Sequence, residues 1–303
     1  MRKRIFLVVM LCLTACRERA ATGSLPPAPK AVVEDAKPSA LPNRSLRLGH
    51  PPNLSVKGSQ EEYKPLADYL TQALQHNVFV VVPDTYEEVV DMLVDGKLDF
   101  ALLTPFLYVR AKKRLPALKP VASLLGEGSA QYRGYIVTSA TSPMHEVKDL
   151  KGKRFAFVDK ASASGYLFPL ATLKDAGIDP ERDLKEVVYA GSHRKVVDWV
   201  LEGRVDAGAI SSTSFLQFRG EAISSRLFII AKTDWIPFDA FVAHPSMPEA
   251  LVAKLKTALL SLDARTAEGR NILTGVATNN GFVEGKDETY APVRKVAEKL
   301  GIE

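Results

Sequence analysis

An α/β fold in two lobes is expected from three features of the chain. The first is alternation: apolar runs of strand length are separated by amphipathic runs of about ten residues, the grammar of βαβ units and parallel sheets. The second is an internal echo. Val89 to Asp99 (VVDMLVDGKLD) matches Val196 to Asp206 (VVDWVLEGRVD) at an offset of 107, with identity or close similarity at ten of eleven positions and only Met92/Trp199 loose. Both copies run into a strand ending in a hydroxyl, Thr104 and Ser211. Two units built alike would face a shared cleft at strand carboxyl ends, where open α/β sheets gather ligands. Helix–Gly–strand grammar also recurs by chance in α/β chains, which is the alternative reading of the echo. The third feature is Lys151 to Pro169 (KGKRFAFVDKASASGYLFP), which reads as strand, turn and helix start.

In chain order, Leu46–Gly49 is a short strand entering a Pro/Asn/Gly-rich loop. Glu61–Gln75 is a helix with Tyr63, Leu66, Ala67, Leu70 and Leu74 on one face. Val78–Val82 and Leu98–Leu103 are strands, alternating with helices Tyr86–Val94 and Phe106–Arg114. Val121–Leu125 and Tyr135–Thr138 read as further strands. Arg154–Val158 is a buried strand, and Leu167–Ala176 a helix stopped by Gly177. Strands Glu186–Tyr189, Val205–Ile210, Leu227–Ala231 and Ala240–Ala243 follow, with helices Arg194–Leu201 and Ser212–Phe218 between them and more helix beyond Pro248.

The N-terminus has a different composition. Arg2, Lys3 and Arg4 precede an apolar run from Ile5 to Leu13, which is too short to span a bilayer and has the size of a signal-peptide core. Leu13-Thr14-Ala15-Cys16 resembles the bacterial lipobox, implying cleavage before Cys16 and lipidation of its thiol. An ordinary secretory signal with a chance cysteine is the alternative. Cys12 falls in the discarded part, so the mature chain holds one cysteine and no internal disulfide. Removing residues 1–15 lowers the formal net charge from +5 to +2. No basic stripe interleaved with aromatics is present, so nucleic acid is not an expected partner. Residues 16–44, rich in Pro and Ala, read as a tether.

The chemistry is concentrated at Ser162-Ala163-Ser164-Gly165. These small residues stand where a helix begins, so unpartnered N–H groups, the helix macrodipole and two hydroxyls make an anion pocket without a full charge. A serine there could equally be only an N-cap.

Several segments in order resemble the periplasmic binding proteins of phosphate, phosphite and phosphonate ABC transporters. They include Tyr63-Lys64-Pro65-Leu66-Ala67-Asp68-Tyr69-Leu70, Gly96-Lys97-Leu98-Asp99-Phe100-Ala101, Asp149 to Asp159, Ser164-Gly165-Tyr166, Ala176-Gly177-Ile178-Asp179-Pro180 and Gly191-Ser192-His193. The resemblance spans about Leu46 to Val283 and implies a two-lobed, type II-like periplasmic-binding-protein fold, its ligand cleft lying between lobes joined by two hinge crossings. The partition it implies is 45–138 plus 233–303 for one lobe and 139–232 for the other, with hinges near Ser139 and Lys232. It further implies that Ser162, Ser164 and the amides from Ala163 on hold the oxyanion, that Tyr86 and Tyr132 are aromatic walls donating phenols, and that Thr104 lies at a neighbouring strand tip. His193 would donate to a ligand oxygen, and Asp239 would face the ligand. A carboxylate beside an oxyanion favours a protonated P–OH or an amine-bearing ligand. Two departures stand out: the family's Ser-Thr-Ser is Ser-Ala-Ser here, and Ile210-Ser211-Ser212-Thr213 lacks the acidic side chain with which relatives hold an amine. A small oxyanion or neutral-tailed phosphonate is therefore favoured over an amine-bearing one.

The expected role is capture of such a ligand outside the cytoplasm and delivery to a permease by a lipid-anchored monomer, with no cofactor and no metal. A sensor presenting the same ligand to a membrane receptor is the second reading. A serine-type enzyme is a remote third, since Ser192-His193-Arg194-Lys195 fits S-x-x-K. No G-x-S-x-G, H-E-x-x-H, Walker loop or metal-spaced Cys/His cluster accompanies it.

Overall fold

The structure is a computed structural model of the 303-residue chain and describes residues 44–52, 56–126, 129–218, 222–273 and 279–302. The leader, Cys16 and the tether up to residue 43 lie outside the described residues. No helix among the described residues is long and apolar enough to cross a membrane.

The first sheet contains β1 (Leu46–Gly49), β2 (Val78–Val81), β3 (Phe100–Leu103), β4 (Lys119–Gly126), β10 (Ala240–Ala243) and β11 (Asn279–Glu284), in the order β11-β4-β10-β3-β1-β2. The second contains β5 (Gln131–Ser139), β6 (Arg154–Phe157), β7 (Glu186–Tyr189), β8 (Ala207–Ser211) and β9 (Leu227–Pro237), in the order β7-β6-β8-β5-β9. Each sheet is built on three parallel strands, β2-β1-β3 and β7-β6-β8. Beside each trio lies an antiparallel strand, β10 along β3 and β5 along β8.

Helices α1 (Val56–Leu74), α2 (Tyr86–Val94) and α3 (Pro105–Arg114) connect the first trio. Helices α4 (Phe168–Asp175), α5 (Pro180–Asp183), α6 (His193–Leu201) and α7 (Ser212–Gln217) serve the second. Helices α8 (Glu249–Leu260), α9 (Ala267–Leu273) and α10 (Ala291–Leu300) complete the chain. Apolar side chains cover both faces of each sheet, as crossover helices require. Leu46, Leu48, Phe100 and Phe241 pack under α1 and α8, while Val89, Val90, Leu103 and Leu107 fill the opposite face.

The offset of 107 extends well beyond the eleven-residue echo. The Arg47 amide donates to Asp99 Oδ2 at 2.8 Å and its guanidinium to Gly96 O at 2.9 Å. The Arg154 amide donates to Asp206 Oδ2 at 2.8 Å and its guanidinium to Gly203 O at 3.0 Å. Gly96 and Gly203 have φ of 67° and 70°, a left-handed turn that suits glycine. Thr85 caps α2 and Ser192 caps α6, again 107 apart. The two lobes thus repeat one βαβαβ design, down to its ionic staples.

The sheet changes differ from the expected ones. β5 pairs with β8 and β9 over its length, and β9 runs on to Pro237 within the second sheet. The chain therefore leaves one sheet between Gly126 and Gln131 and returns between Pro237 and Ala240, not near Ser139 and Lys232. Only the apolar half of each, Tyr135–Thr138 of β5 and Leu227–Ala231 of β9, registers as strand in the sequence. Their polar halves, Gln131–Gly134 and Lys232–Trp235, are held by backbone pairing, which leaves no hydropathy signal.

Candidate functional site

Ser162 ends the loop after β6 and caps a wide turn, Ala163–Leu167, whose hydrogen bonds reach five residues on. The Gly165 N–H donates to Ser162 Oγ at 3.0 Å, leaving the hydroxyl proton of Ser162 to donate elsewhere. Ser162, Ala163 and Ser164 are all buried, at 4%, 1% and 2% exposure. Two glycines permit this packing. A Cβ at Gly165 would stand 2.5 Å from Val158, and one at Gly134 on β5 would stand 2.8 Å from the Ser164 carbonyl.

Tyr132, on the polar half of β5, has its phenol near the Ser164 side chain and stacks on Phe238 with 4.9 Å between ring centroids. Asp239 follows Phe238 at the return crossing, opposite Thr104 in the antiparallel register of β10 and β3. Burial pushes its carboxyl up to about 7. Its charge in turn raises the phenols of Tyr63, Tyr86, Tyr132 and Tyr290, although burial is the larger cause in each. The four phenols within reach of the Asp239 charge therefore stay protonated at neutral pH, with Glu62 adding to the effect at Tyr63 and Asp159 at Tyr86.

Tyr86 opens α2 beneath a capping box made by Thr85 and Glu88, and it is buried. It feels Asp159 of the second lobe and shares an apolar cluster with Ala161, so the two lobes meet here. Thr104 caps α3 by position only; its Oγ1 is buried and has no hydrogen-bond partner.

His193 opens α6, one helix start away from Ser162 at the carboxyl edge of the second sheet. Burial lowers its imidazole to about 4, so it is neutral at neutral pH. The Ser211 N–H donates to its Nδ1 at 3.2 Å, which places the remaining proton on Nε2 and makes that nitrogen a donor. Tyr132 thus lies near Ser164, Tyr86 and Tyr132 lie within reach of the Asp239 charge, and Tyr86 packs with Ala161 of the Ser162 loop. Thr104 lies opposite Asp239 by extension of the strand register, and His193 stands at the neighbouring strand tip.

Four contributors escape a reading of the sequence: His50, Glu62, Tyr63 and Tyr290. Tyr290 arrives from the C-terminal segment, with its hydroxyl donating to Phe238 O at 3.1 Å and lying 2.9 Å from Ser123 Oγ. His50, directly after β1, had one available signal: it occupies a strand tip of the same kind as Thr104.

The S-x-x-K pair is otherwise engaged. Ser192 Oγ accepts from the Lys195 N–H at 3.2 Å, and Lys195 Nζ sits 5.2 Å from the Trp199 ring centroid. Among the described residues no cluster of three or more potential ligands could hold a metal ion.

The matching family is the ABC-transporter phosphonate periplasmic substrate-binding proteins, over residues 48–290. The phosphate-import protein PhnD of Mycolicibacterium smegmatis is 28% identical over 261 residues, 80% of this chain and 81% of that protein. The tetrathionate sensor histidine kinase TtrS of Salmonella typhimurium is 25% identical over 232 residues, but the match spans only 39% of its length. In fold, the chain is similar to PhnD1 of Prochlorococcus marinus in complex with methylphosphonate, with a TM-score of 0.77 at 21% identity, covering 86% of this chain and 99% of that one. With the family match running through both sheets and both crossings, the chain belongs to the phosphonate periplasmic substrate-binding proteins of ABC transporters.

Proposed function

We propose that this protein captures a small phosphorus oxyanion, namely phosphate, phosphite or an alkylphosphonate, and passes it to its permease. The observation that carries the reading is the buried Ser162–Ser164 turn set against Tyr132 and Asp239. Neutral donors at a helix start bind an anion without a counter-charge, and a carboxyl titrating near 7 accepts a P–OH proton. Tyr86, Tyr132, Ser162, Ser164, the Ala163 amide and His193 Nε2 act as donors, with Thr104 and Asp239 on the first-lobe side.

The return crossing at Phe238–Asp239 serves as part of the hinge. Closure expels water and strengthens the hydrogen bonds around the anion. As the binding component of an importer, the protein works outside the cytoplasm. Its monomeric, non-catalytic character and its anchoring through Cys16 after removal of residues 1–15 belong to the same proposal. Likeness to part of a sensor kinase supports a second reading, in which the closed lobes signal to a membrane receptor.

A thermal-shift screen of the purified protein against phosphate, phosphite, methylphosphonate, 2-aminoethylphosphonate, sulfate and a sulfonate tests the reading, because a ligand bound only by the native state raises the melting temperature. A shift confined to phosphorus compounds is expected. A response to sulfur oxyanions alone would overturn it.

A further inference from the structure

The first-lobe side of the cleft holds a polar layer of which anion capture uses only Thr104 and Asp239, leaving His50 and Glu62 without a role. Along β1, Leu46 and Leu48 face α1; His50 continues that alternation and packs its ring, tilted by 31°, against Tyr63 of α1, with 3.9 Å between ring centroids. Along β3, Phe100 and Leu102 face the same way, and Thr104 continues them. Asp239 continues the series of Phe241 and Ala243 on the neighbouring strand. β10, β3 and β1 are adjacent; Asp239 extends the register opposite Thr104, while His50 falls level with Leu102, one side-chain repeat short of Thr104, and α1, which carries Glu62 and Tyr63, packs on this face of the sheet.

These groups lack partners. His50 is 1% exposed, and among the described residues neither ring nitrogen makes a geometrically formed hydrogen bond, although the Pro51 backbone lies near enough to oppose the effect of burial on the imidazole. The buried Glu62 Oε2 and Thr104 Oγ1 likewise make no hydrogen bond among the described residues. Buried polar atoms in native proteins are nearly always satisfied, and several left open at one cleft edge indicate an absent ligand or ordered water. Two carboxyls, a hydroxyl and one imidazole nitrogen make the layer rich in acceptors. An alkyl group placed there would leave every one of them unsatisfied.

We propose that His50, Glu62 and Thr104 form a second subsite, which takes a hydrogen-bond-donating substituent, hydroxyl or amine, carried by the oxyanion bound at Ser162–Ser164. The inference rests on the anion-capture reading and deepens it. Burial raises the Glu62 carboxyl to about 7 and lowers His50 to about 3, so an incoming donor meets a neutral imidazole and carboxyls that respond to it. It also alters the expectation from the sequence. The acidic partner missing near Ser211 is supplied by α1 instead, so a polar-tailed ligand is favoured over a bare alkylphosphonate.

Calorimetric titration of the full-length protein with inorganic phosphate, methylphosphonate, hydroxymethylphosphonate and aminomethylphosphonate tests this. The two polar-tailed compounds should bind at least about tenfold tighter than methylphosphonate, the effect of one good buried hydrogen bond. His50→Phe keeps the ring on Tyr63 and places there the residue type found 107 positions on, at Phe157. That variant and Glu62→Leu, which removes the acceptor, should each lower the ratio severalfold, with cooperative melting verifying the fold. Binding of phosphate and methylphosphonate with no preference for the polar tails would overturn the subsite alone, its open atoms then being met by water. A preference unaltered in both variants would also overturn it. Failure of all four compounds to bind would overturn the anion-capture reading, and the subsite with it.

Discussion

Asp239 carries the sharpest consequence of a single side chain. Its carboxyl titrates near 7 rather than 3.8 because it is buried. A raised carboxyl favours the fold below its unfolded value, and that contribution is lost as pH rises from about 4 to 7. The same proton helps an oxyanion to bind, since above 7 two negative charges face each other. Asp239→Asn should therefore bind methylphosphonate progressively better than the native protein as pH rises above 7, by up to about tenfold per unit, when the two are titrated in parallel so that the ligand's own ionisation cancels. An affinity ratio independent of pH would show that Asp239 does not face the anion. Ser162 makes a simpler case. Its hydroxyl caps the turn through one lone pair and has its proton to give. Ser162→Ala should weaken binding severalfold or more, as loss of a hydrogen bond to a charged group costs roughly 1.5–3 kcal/mol. Unchanged affinity by calorimetry would remove Ser162 from the site.

Among elements, the Ser162–Leu167 turn depends on strand β5 passing close to it. Gly134→Ala would press a methyl group on the Ser164 carbonyl and on Thr233. Overpacking of this kind costs roughly 1–3 kcal/mol, and here it should appear chiefly as lost ligand affinity. Native affinity in Gly134→Ala would mean that the turn yields without cost. The paired staples allow a comparison within one molecule. Asp99 has 3% side-chain exposure and holds Arg44 and Arg47, whereas Asp206 is 29% exposed. Asp99→Ala leaves the Arg47 N–H without its buried acceptor, a loss of roughly 1–3 kcal/mol. It should lower the melting temperature more than Asp206→Ala, whose partners are better screened by water. The reverse order in thermal denaturation would refute this account of the staples.

For the whole molecule, the C-terminal helix links the two lobes. Val293 and Ala297 of α10 pack with Phe106 from α3 and with Leu167, Phe168 and Ile236 from the second lobe, and Lys299 reaches Asp175 at 2.5 Å. The lobes are thus held by two crossings and by a helix seated on both. Val293→Ala should destabilise the protein by roughly 2 kcal/mol, the usual result of removing buried methyl groups. It should also weaken ligand binding, because α10 supports the turn that carries Ser164. If stability falls while affinity stays native, α10 is a brace for folding and takes no part in lobe closure.

The sequence alone determined the features that arise from local periodicity and helix-start chemistry. Strands separated by helices, the repeat at offset 107 and the small-residue turn at Ser162–Gly165 were all legible, because each is written in residues close together along the chain. So was Tyr86 as a helix-opening residue, whereas the helix read from Arg194 begins one residue earlier, at His193. Tertiary structure decided what depends on pairing between distant segments. The polar halves of β5 and β9 carry no hydropathy signal, so the crossings came to light only through their backbone register. Tyr290 and Asp239 lie far apart in sequence and meet only because β10 inserts beside β3. His50 and Glu62 look ordinary in the sequence. Only burial without partners, a property of the folded surroundings, marks them as places where a ligand is awaited.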